Sequence, residues 1–380
     1  MPHSTDFLFA EDRLATQVGA TLARFLASPG QEALDAIESV HQTTPLDALT
    51  LTAHGVEALL FYRLQALGAL NAFRCDFSAH LRRQATVAIA THAQQQDAAA
   101  TLLTAFSNAR INAVVLKGAA LAYRGYPAPW TRPRSDLDLL IAPQTSEAAI
   151  QCLEREGFFT ARSSSRRALF TQSQHVRPDG KLSVDLHWDI ANHAVFRGAL
   201  THDELLRDSV HIPELGAEAR GPSDIHALLH ACIHRASHWQ EPERLIWLYD
   251  IYVLAERLTP SGWEEFHRLA HERNMTTIVS RALQTMTSAF TSSAASRIPM
   301  LVDDTEPSSA FLCPGFSQFK ELLAHLRHTP GVRGRIDWVR ELALPNRQFM
   351  KHAHGADTTS RLCWAYARRG WSGLRKLFAR

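Results

Sequence analysis

Long apolar runs, paired cysteines and an excess of charge are all missing from this 380-residue chain. No stretch of about eighteen consecutive apolar residues occurs, so no membrane-spanning helix is expected. The first residues, MPHSTDFLFAEDR, lack the basic segment and apolar run of a secretory signal, and a cytoplasmic protein is expected. The five cysteines, Cys75, Cys152, Cys232, Cys313 and Cys363, lie far apart and form no CxxC pair. They suit small buried hydrophobes in a reducing compartment better than a disulfide or zinc framework. The formal net charge is only +2. That disfavours a protein that lives by neutralising many polynucleotide phosphates, although a local basic cleft stays open.

What is present begins with helix. Leu14 to Leu26 carries apolar residues at helical spacing until Ser28-Pro29-Gly30 stops it, and Gln31–Val40 and Val56–Leu70 repeat the pattern. From Phe77 to Ala109 an alanine- and glutamine-rich run with almost no breakers predicts one long helix. A helical N-terminal segment over 1–109 follows. At Asn112 the pattern changes. Ala113-Val114-Val115-Leu116 predicts a buried strand, Ala119 to Tyr123 a short helix, and Leu137 to Ile141 a second strand closed by Pro143. Thr145–Glu156 predicts a helix ended by Gly157, Leu169–Gln172 an edge strand, and Leu182–Trp188 a further strand after the Pro178-Asp179-Gly180 turn. These predict a core over 110–213. Beyond Pro213 helices return, at Ser223–His238, Pro242–Leu258 and Ser261–Glu272, with loops around Thr291–Pro314 and Lys351–Thr359. A helical C-terminal domain over 214–380 ends in ARRGWSGLRKLFAR, a basic amphipathic tail that either packs on the domain or meets an acidic surface. The fold class expected is α+β, a small mixed-sheet core flanked by helical regions.

The chemistry concentrates in Arg134-Ser135-Asp136-Leu137-Asp138-Leu139-Leu140-Ile141. Residues two apart on a strand share a face, so Asp136 and Asp138 stand side by side while Leu137, Leu139 and Ile141 enter the core. Two carboxylates on a rigid strand suit a hard divalent cation such as Mg²⁺ or Mn²⁺. In Ser183-Val184-Asp185-Leu186-His187-Trp188 the alternation puts Ser183, Asp185 and His187 on one face. Asp185 becomes a third carboxylate if the two strands are neighbours, the arrangement that two-metal phosphoryl or nucleotidyl transfer requires. A lone DxD is otherwise a common solvated motif. Leu116-Lys117-Gly118 raises its standing. A strand there opens into a helix, with a glycine for close backbone approach, free N–H groups and a lysine charge for phosphate.

VVLKGAALAYRGYPAPWTRPRSDLDLLI followed by SVDLHWDI resembles the uncharacterised nucleotidyltransferase family of the DNA polymerase β superfamily. The resemblance implies a nucleotidyltransferase core in which Gly118 belongs to the first motif, Asp136 and Asp138 are the metal pair and Asp185 is the third carboxylate. Lys117-Gly118-Ala119 stands where the wider superfamily has a Gly-Ser pair, so no serine hydroxyl is available there for a phosphate. It further implies transfer of a nucleoside monophosphate from a nucleoside triphosphate to an acceptor, which is a small molecule, a protein side chain or an RNA end. Phosphoryl or pyrophosphoryl transfer on the same core is the alternative, as is a non-catalytic nucleotide-binding regulatory protein.

Around this centre stand further candidates. Lys117, Gly118 and Ser135 are expected at the nucleotide. Arg132 and Arg134 either clamp a triphosphate or are solvated loop arginines. His226, His230, His234 and His238 repeat every four residues on one helix. Two stacked histidines can share a zinc ion, but no cysteine or HExxH pattern completes such a site. The resemblance has His230 and His234 lining the cleft and holding phosphate or acceptor, with packed or solvated histidines as the plain alternative. It also makes Asp250 an orienter of one of them. Trp247 and Tyr249 are expected in the core rather than as a base-stacking platform.

Overall fold

The computed structural model describes residues 17–43, 46, 48–162, 170–180, 182–298, 305–313, 316–343, 350 and 358–378. Among the described residues the chain opens with α1 (Gln17–Ala27), α2 (Gln31–Thr43), α3 (Ala48–His54), α4 (Glu57–Ala66) and the 34-residue α5 (Cys75–Asn108). Residues 14–16 of the first expected helix lie outside the described residues. At 1.5 Å per residue α5 runs about 51 Å, long enough to serve two cores. Phe77, Leu81 and Ala85 near its start join the other N-terminal helices, whereas Ala99, Leu102, Leu103 and Phe106 lie under the sheet.

The sheet is mixed and has five strands: β1 (Ala113–Val115), β2 (Leu137–Ile141), β3 (Phe159–Arg162), β4 (Gln172–Val176) and β5 (Ser183–His187), in the order β1-β2-β5-β4-β3. Its decisive pairing is β2 with β5, which run parallel with Leu137 opposite Val184, Asp138 opposite Asp185 and Leu139 opposite Leu186. The other pairings are antiparallel. Between β1 and β2 comes the one-turn α6 (Lys117–Leu121), and after β2 comes α7 (Ser146–Arg155). Leu137, Leu139, Ile141, Val184 and Leu186 pack against Ala149, Cys152 and Leu153 of α7 and the end of α5. The strand expected at the edge over Leu169–Gln172 is β4, which begins at Gln172 and lies inside the sheet between β5 and β3, with β3 at the edge; Leu169 lies outside the described residues. Its buried residues are Ser173 and His175, so the strand carries no hydrophobic alternation to betray it.

A short α8 (His202–Arg207) and a two-residue ladder of β6 (Val210–His211) with β7 (Arg220–Gly221) lead into the second helical region. It comprises α9 (Asp224–Ser237), α10 (Leu245–Ala255), α11 (Pro260–Glu272), α12 (Thr276–Ala289), α13 (Gln318–His328), α14 (Gly331–Ala343) and α15 (Thr359–Phe378). Ser223 caps α9 by accepting from the His226 N–H at 3.3 Å. The cap of α11 is Thr259, with Pro260 as its first residue, in place of the expected Ser261. The larger core draws Leu22, Phe25 and Leu26 of α1 and Leu59, Leu60 and Leu64 of α4 together with Leu228 of α9, Leu248 of α10 and Leu283 of α12. Both helical regions thus close on one core, which reaches the sheet through Val114, Leu116 and Leu140. Within the expected tail, side chains beyond Arg368 lie outside the described residues, as do residues 351–357 of the preceding loop. The architecture is α+β.

Candidate active site

Asp138 and Asp185 face away from the α7 side of the sheet into a cavity of about 600 Å³. Its lining brings together Lys117, Gly118, Arg132, Arg134, Ser135 and Asp136 from β1–β2 with His230 and His234 from α9. That volume is in the range of ordinary ligand sites. The parallel register explains the carboxylate pair. Strands β2 and β5 both alternate, so setting Leu139 beside Leu186 in the core sets Asp138 beside Asp185 on the opposite face.

Asp138 is the most tightly held of the three acids. Its Oδ1 accepts from Lys117 Nζ at 2.7 Å and from His187 Nε2 at 2.9 Å, and the residue is 5% exposed. Burial alone would raise this carboxyl. The Lys117 ammonium and the His187 N–H outweigh it and hold Asp138 well below the usual carboxylate range. On the lysine the same contact outweighs burial and raises its pKa, so the pair stays ionised. His187 is pushed down by burial and by Lys117 and is a neutral N–H donor. Asp136 precedes β2, takes a hydrogen bond from Ser135 Oγ at 3.2 Å, and has its carboxyl raised by burial and by the charge on Asp138. Gln172 Nε2 donates to Asp185 Oδ2 at 3.3 Å.

The turn from β1 into α6 is made in one residue. The Leu116 N–H donates to the Asp138 carbonyl at 2.9 Å, continuing the ladder, and Lys117 then takes φ +50°. For a non-glycine residue this left-handed geometry costs about 1–2 kcal/mol, and it aims the lysine back at Asp138. Gly118 lies against the Arg132 guanidinium, where an added Cβ would come within 3.2 Å of its central carbon. Arg132 is committed elsewhere. Its Nε and Nη2 make a bidentate pair with Asp250 at 2.9 and 2.7 Å, and Tyr126 Oη donates to the same carboxylate at 2.7 Å. Asp250 therefore anchors an arginine and a tyrosine, not a histidine. Arg134 turns towards α5, with Nη1 3.2 Å from His92 Nδ1 and its guanidinium over the Tyr123 ring.

Of the four-residue histidine repeat, His230, His234 and His238 line the cavity, whereas His226 lies 3.6 Å from Glu204 on the other side. Burial, with the nearby Lys117 charge, pushes His230 down to about 3 and His234 well below the ordinary range, so both are neutral. His230 Nε2 is buried with no hydrogen-bond partner among the described residues. Tyr249 is core, as expected; Trp247 is 8% exposed but also edges the cavity, with His238 5.1 Å from its ring. Gln172, Asn192, Arg124 and Arg244 also line the cavity. No alternation or motif ties these side chains to the carboxylates, not even Asn192, which follows Asp185 closely along the chain. His187 did leave a signal, being two residues from Asp185 on the same face.

A model of the family described as uncharacterised nucleotidyltransferase matches residues 48–291. The chain belongs to this family. Its match spans α3 to α12 and includes every cavity residue named above. No curated protein matches the chain. Membership supports a transferase of nucleotidyl type, and the family implies a nucleoside triphosphate as substrate. Asp138, Asp185 and His187 bring ligand atoms within 4.8 Å of one another and could hold a metal ion. Among the described residues no helix is long and apolar enough to cross a membrane.

Proposed function

We propose that the protein is a metal-dependent nucleotidyltransferase that moves a nucleoside monophosphate from a nucleoside triphosphate to an acceptor hydroxyl or other nucleophile. The observation that carries this reading is the in-register pairing of Asp138 with Asp185 on parallel strands at the floor of a cavity of nucleotide size. Asp136, Asp138 and Asp185 would hold Mg²⁺ or Mn²⁺, with His187 beside them. The donor set fits such an ion: the buried Asp138 with the half-buried Asp185 beside it calls for positive charge, and Lys117 already supplies one. When bound, the ion would polarise the phosphates and ease deprotonation of the acceptor.

The chain's own groups do the rest. Lys117 and the backbone N–H groups at Gly118 hold phosphate oxygens. Because α6 is a single turn, the individual N–H groups contribute there more than a helix dipole does. Ser135 and Arg134 also line the cavity and would meet the outer phosphates, Arg134 by leaving its place against His92 and Tyr123. Arg132, fixed by Asp250, sets the wall against which Gly118 packs. His230 and His234, neutral and facing the sheet, offer hydrogen bonds to the nucleotide or acceptor without adding charge. The acceptor atom attacks the α-phosphorus in line, the bond to the β-phosphate oxygen breaks, and pyrophosphate leaves. The acceptor proton passes to Asp185, whose carboxylate lies beside Asp138.

The test is incubation with Mg²⁺ and each of the four nucleoside triphosphates, labelled at the α or the γ phosphate, against small-molecule, protein and RNA acceptors. Movement of the α label with release of pyrophosphate is expected. Movement of the γ label would replace nucleotidyl by phosphoryl transfer. Nucleotide binding without turnover would make the protein regulatory. Failure to bind any nucleoside triphosphate in the presence of Mg²⁺ overturns the proposal.

A further inference from the structure

On the far side of the loop that follows β5, three further ligand-bearing side chains converge. His193 Nδ1 lies 3.1 Å from Glu321 Oε1, and the His193 and His325 rings are 5.4 Å apart. One ligand atom from each of His193, Glu321 and His325 falls within 4.8 Å of the others. None of the three lines the carboxylate cavity. Glu321 and His325 are four residues apart on α13, so they project from one face of that helix. That helix lies beyond the family match, whereas His193 lies inside it.

The hydrogen bonds around the cluster are those of a prepared ligand set. His193 Nε2 is 3.1 Å from the Ser237 carbonyl, an acceptor only, so Nε2 carries the proton and donates. In the neutral ring Nδ1 then presents a lone pair. Nδ1 is buried and makes no hydrogen bond among the described residues, although the Glu321 oxygen lies 3.1 Å away. A lone pair and a carboxylate oxygen side by side repel unless a positive charge lies between them. Histidines that ligate metals characteristically donate their other N–H to a backbone carbonyl, as His193 does to Ser237. Glu321 is braced in the same manner, since its Oε2 accepts from Gln240 Nε2 at 3.1 Å. His325 stacks on Trp338 at 5.7 Å and 21°, and its Nδ1 accepts from the Ala194 N–H at 3.3 Å.

We propose that His193, Glu321 and His325 form a second metal site, separate from the carboxylate cavity, that takes a divalent cation of the zinc class and clips α13 to the core. Two imidazoles and one carboxylate suit zinc, which prefers nitrogen with oxygen at about 2.0–2.2 Å in a tetrahedron. They suit Mg²⁺ poorly, since it demands oxygen ligands in an octahedron. Water fills the fourth position. The observed 3.1 Å between Nδ1 and Oε1 is close to a tetrahedral edge at such bond lengths; only His325 has to approach. The site stands independently of the function proposed for the cavity.

The experiment uses the full chain, stripped with chelator and dialysed against Zn²⁺ alone, with bound metal measured by mass spectrometry and melting by circular dichroism. An Asp138→Ala/Asp185→Ala background removes binding at the cavity carboxylates. Expected is one equivalent of zinc in that background and a higher Tm on zinc addition. Glu321→Gln and His325→Gln each weaken zinc binding at least tenfold while melting normally without metal, and Mg²⁺ does not compete. Should either variant fail to fold, Gln240→Ala, which removes only the brace on Glu321, is expected to weaken zinc several-fold. No zinc bound in the carboxylate-free background overturns the proposal and leaves His193 and Glu321 as a metal-free side-chain contact. Equal zinc affinity in Glu321→Gln, His325→Gln and the parent overturns it as well.

Discussion

Asp138 and Asp185 sit residue against residue across two parallel strands, yet the lysine of the site is bonded to Asp138 at 2.7 Å. The two carboxylates are therefore unequal. Replacing Asp138 by asparagine removes the partner of a lysine held in a strained backbone. Lys117 keeps about a quarter of its side-chain exposure, so the cost is moderated by water. A loss of about 1–3 kcal/mol in stability is expected, together with a fall in kcat of about a thousandfold, equivalent to about 4 kcal/mol. Asp185→Asn is expected to lose activity to a similar extent while melting close to the parent. Urea titration and steady-state kinetics on both variants check the contrast; equal stability losses would sink it.

His187 is expected to act by positioning Asp138. Its Nε2–H meets Oδ1 at 2.9 Å and the ring is 1% exposed. His187→Ala should reduce activity about 10–100-fold, the usual scale for a group that orients a metal ligand. His187→Gln, which retains a donor, should recover much of it. An alanine variant with unchanged kcat and metal dependence rules the role out.

The Arg132–Asp250 pair is a structural strut for the cavity wall. Its side chains are 12% and 8% exposed and the contact is bidentate. Asp250→Ala strands a buried guanidinium and a buried tyrosine hydroxyl, and a loss of about 3–5 kcal/mol is expected. Arg132→Met in the same chain should restore part of it. A double-mutant cycle in urea measures the coupling, and additive losses would show that the two side chains act apart.

Acid should destabilise the fold through His175. The ring is fully buried and burial pushes it down to about 4, from the usual 6.5. The unfolded chain binds the proton more readily than the native one. The contribution is therefore complete above about 6.5 and is lost as pH falls towards 4, for a total of about 3 kcal/mol. Unfolding free energy measured from pH 7 to pH 4.5 should fall, and His175→Gln should flatten the slope by up to about 1.4 kcal/mol per pH unit. Parallel profiles for the two proteins would exclude the assignment.

Much of the site was legible because it rests on a local rule. Alternation along 137–141 and 183–187 places Asp138, Asp185 and His187 on one face, whereas Asp136 lies just before the strand and outside this rule. Some helix boundaries were legible for a similar reason, through Ser223 at a helix start and Gly157 at a helix end, whereas the cap of α11 is Thr259 and not the expected Ser261. The remainder depends on contacts between residues far apart. Nothing near Arg132 announces that its partner is Asp250, and β4 hides because polar Ser173 and His175 fill its buried face. The N-terminal helices, legible as helices, gave no hint that they share a core with α9–α12.

That shared core has a consequence for how the protein is made. Leu22, Phe25 and Leu26 of α1 and Leu59, Leu60 and Leu64 of α4 find their partners in Leu228, Leu248 and Leu283, which leave the ribosome more than 150 positions later. Until then the N-terminal helices carry uncovered apolar faces, and closure of the core awaits contacts of high sequence separation. A nascent chain halted before α12 would expose those faces to chaperones, whereas one extended through residue 290 could bury them.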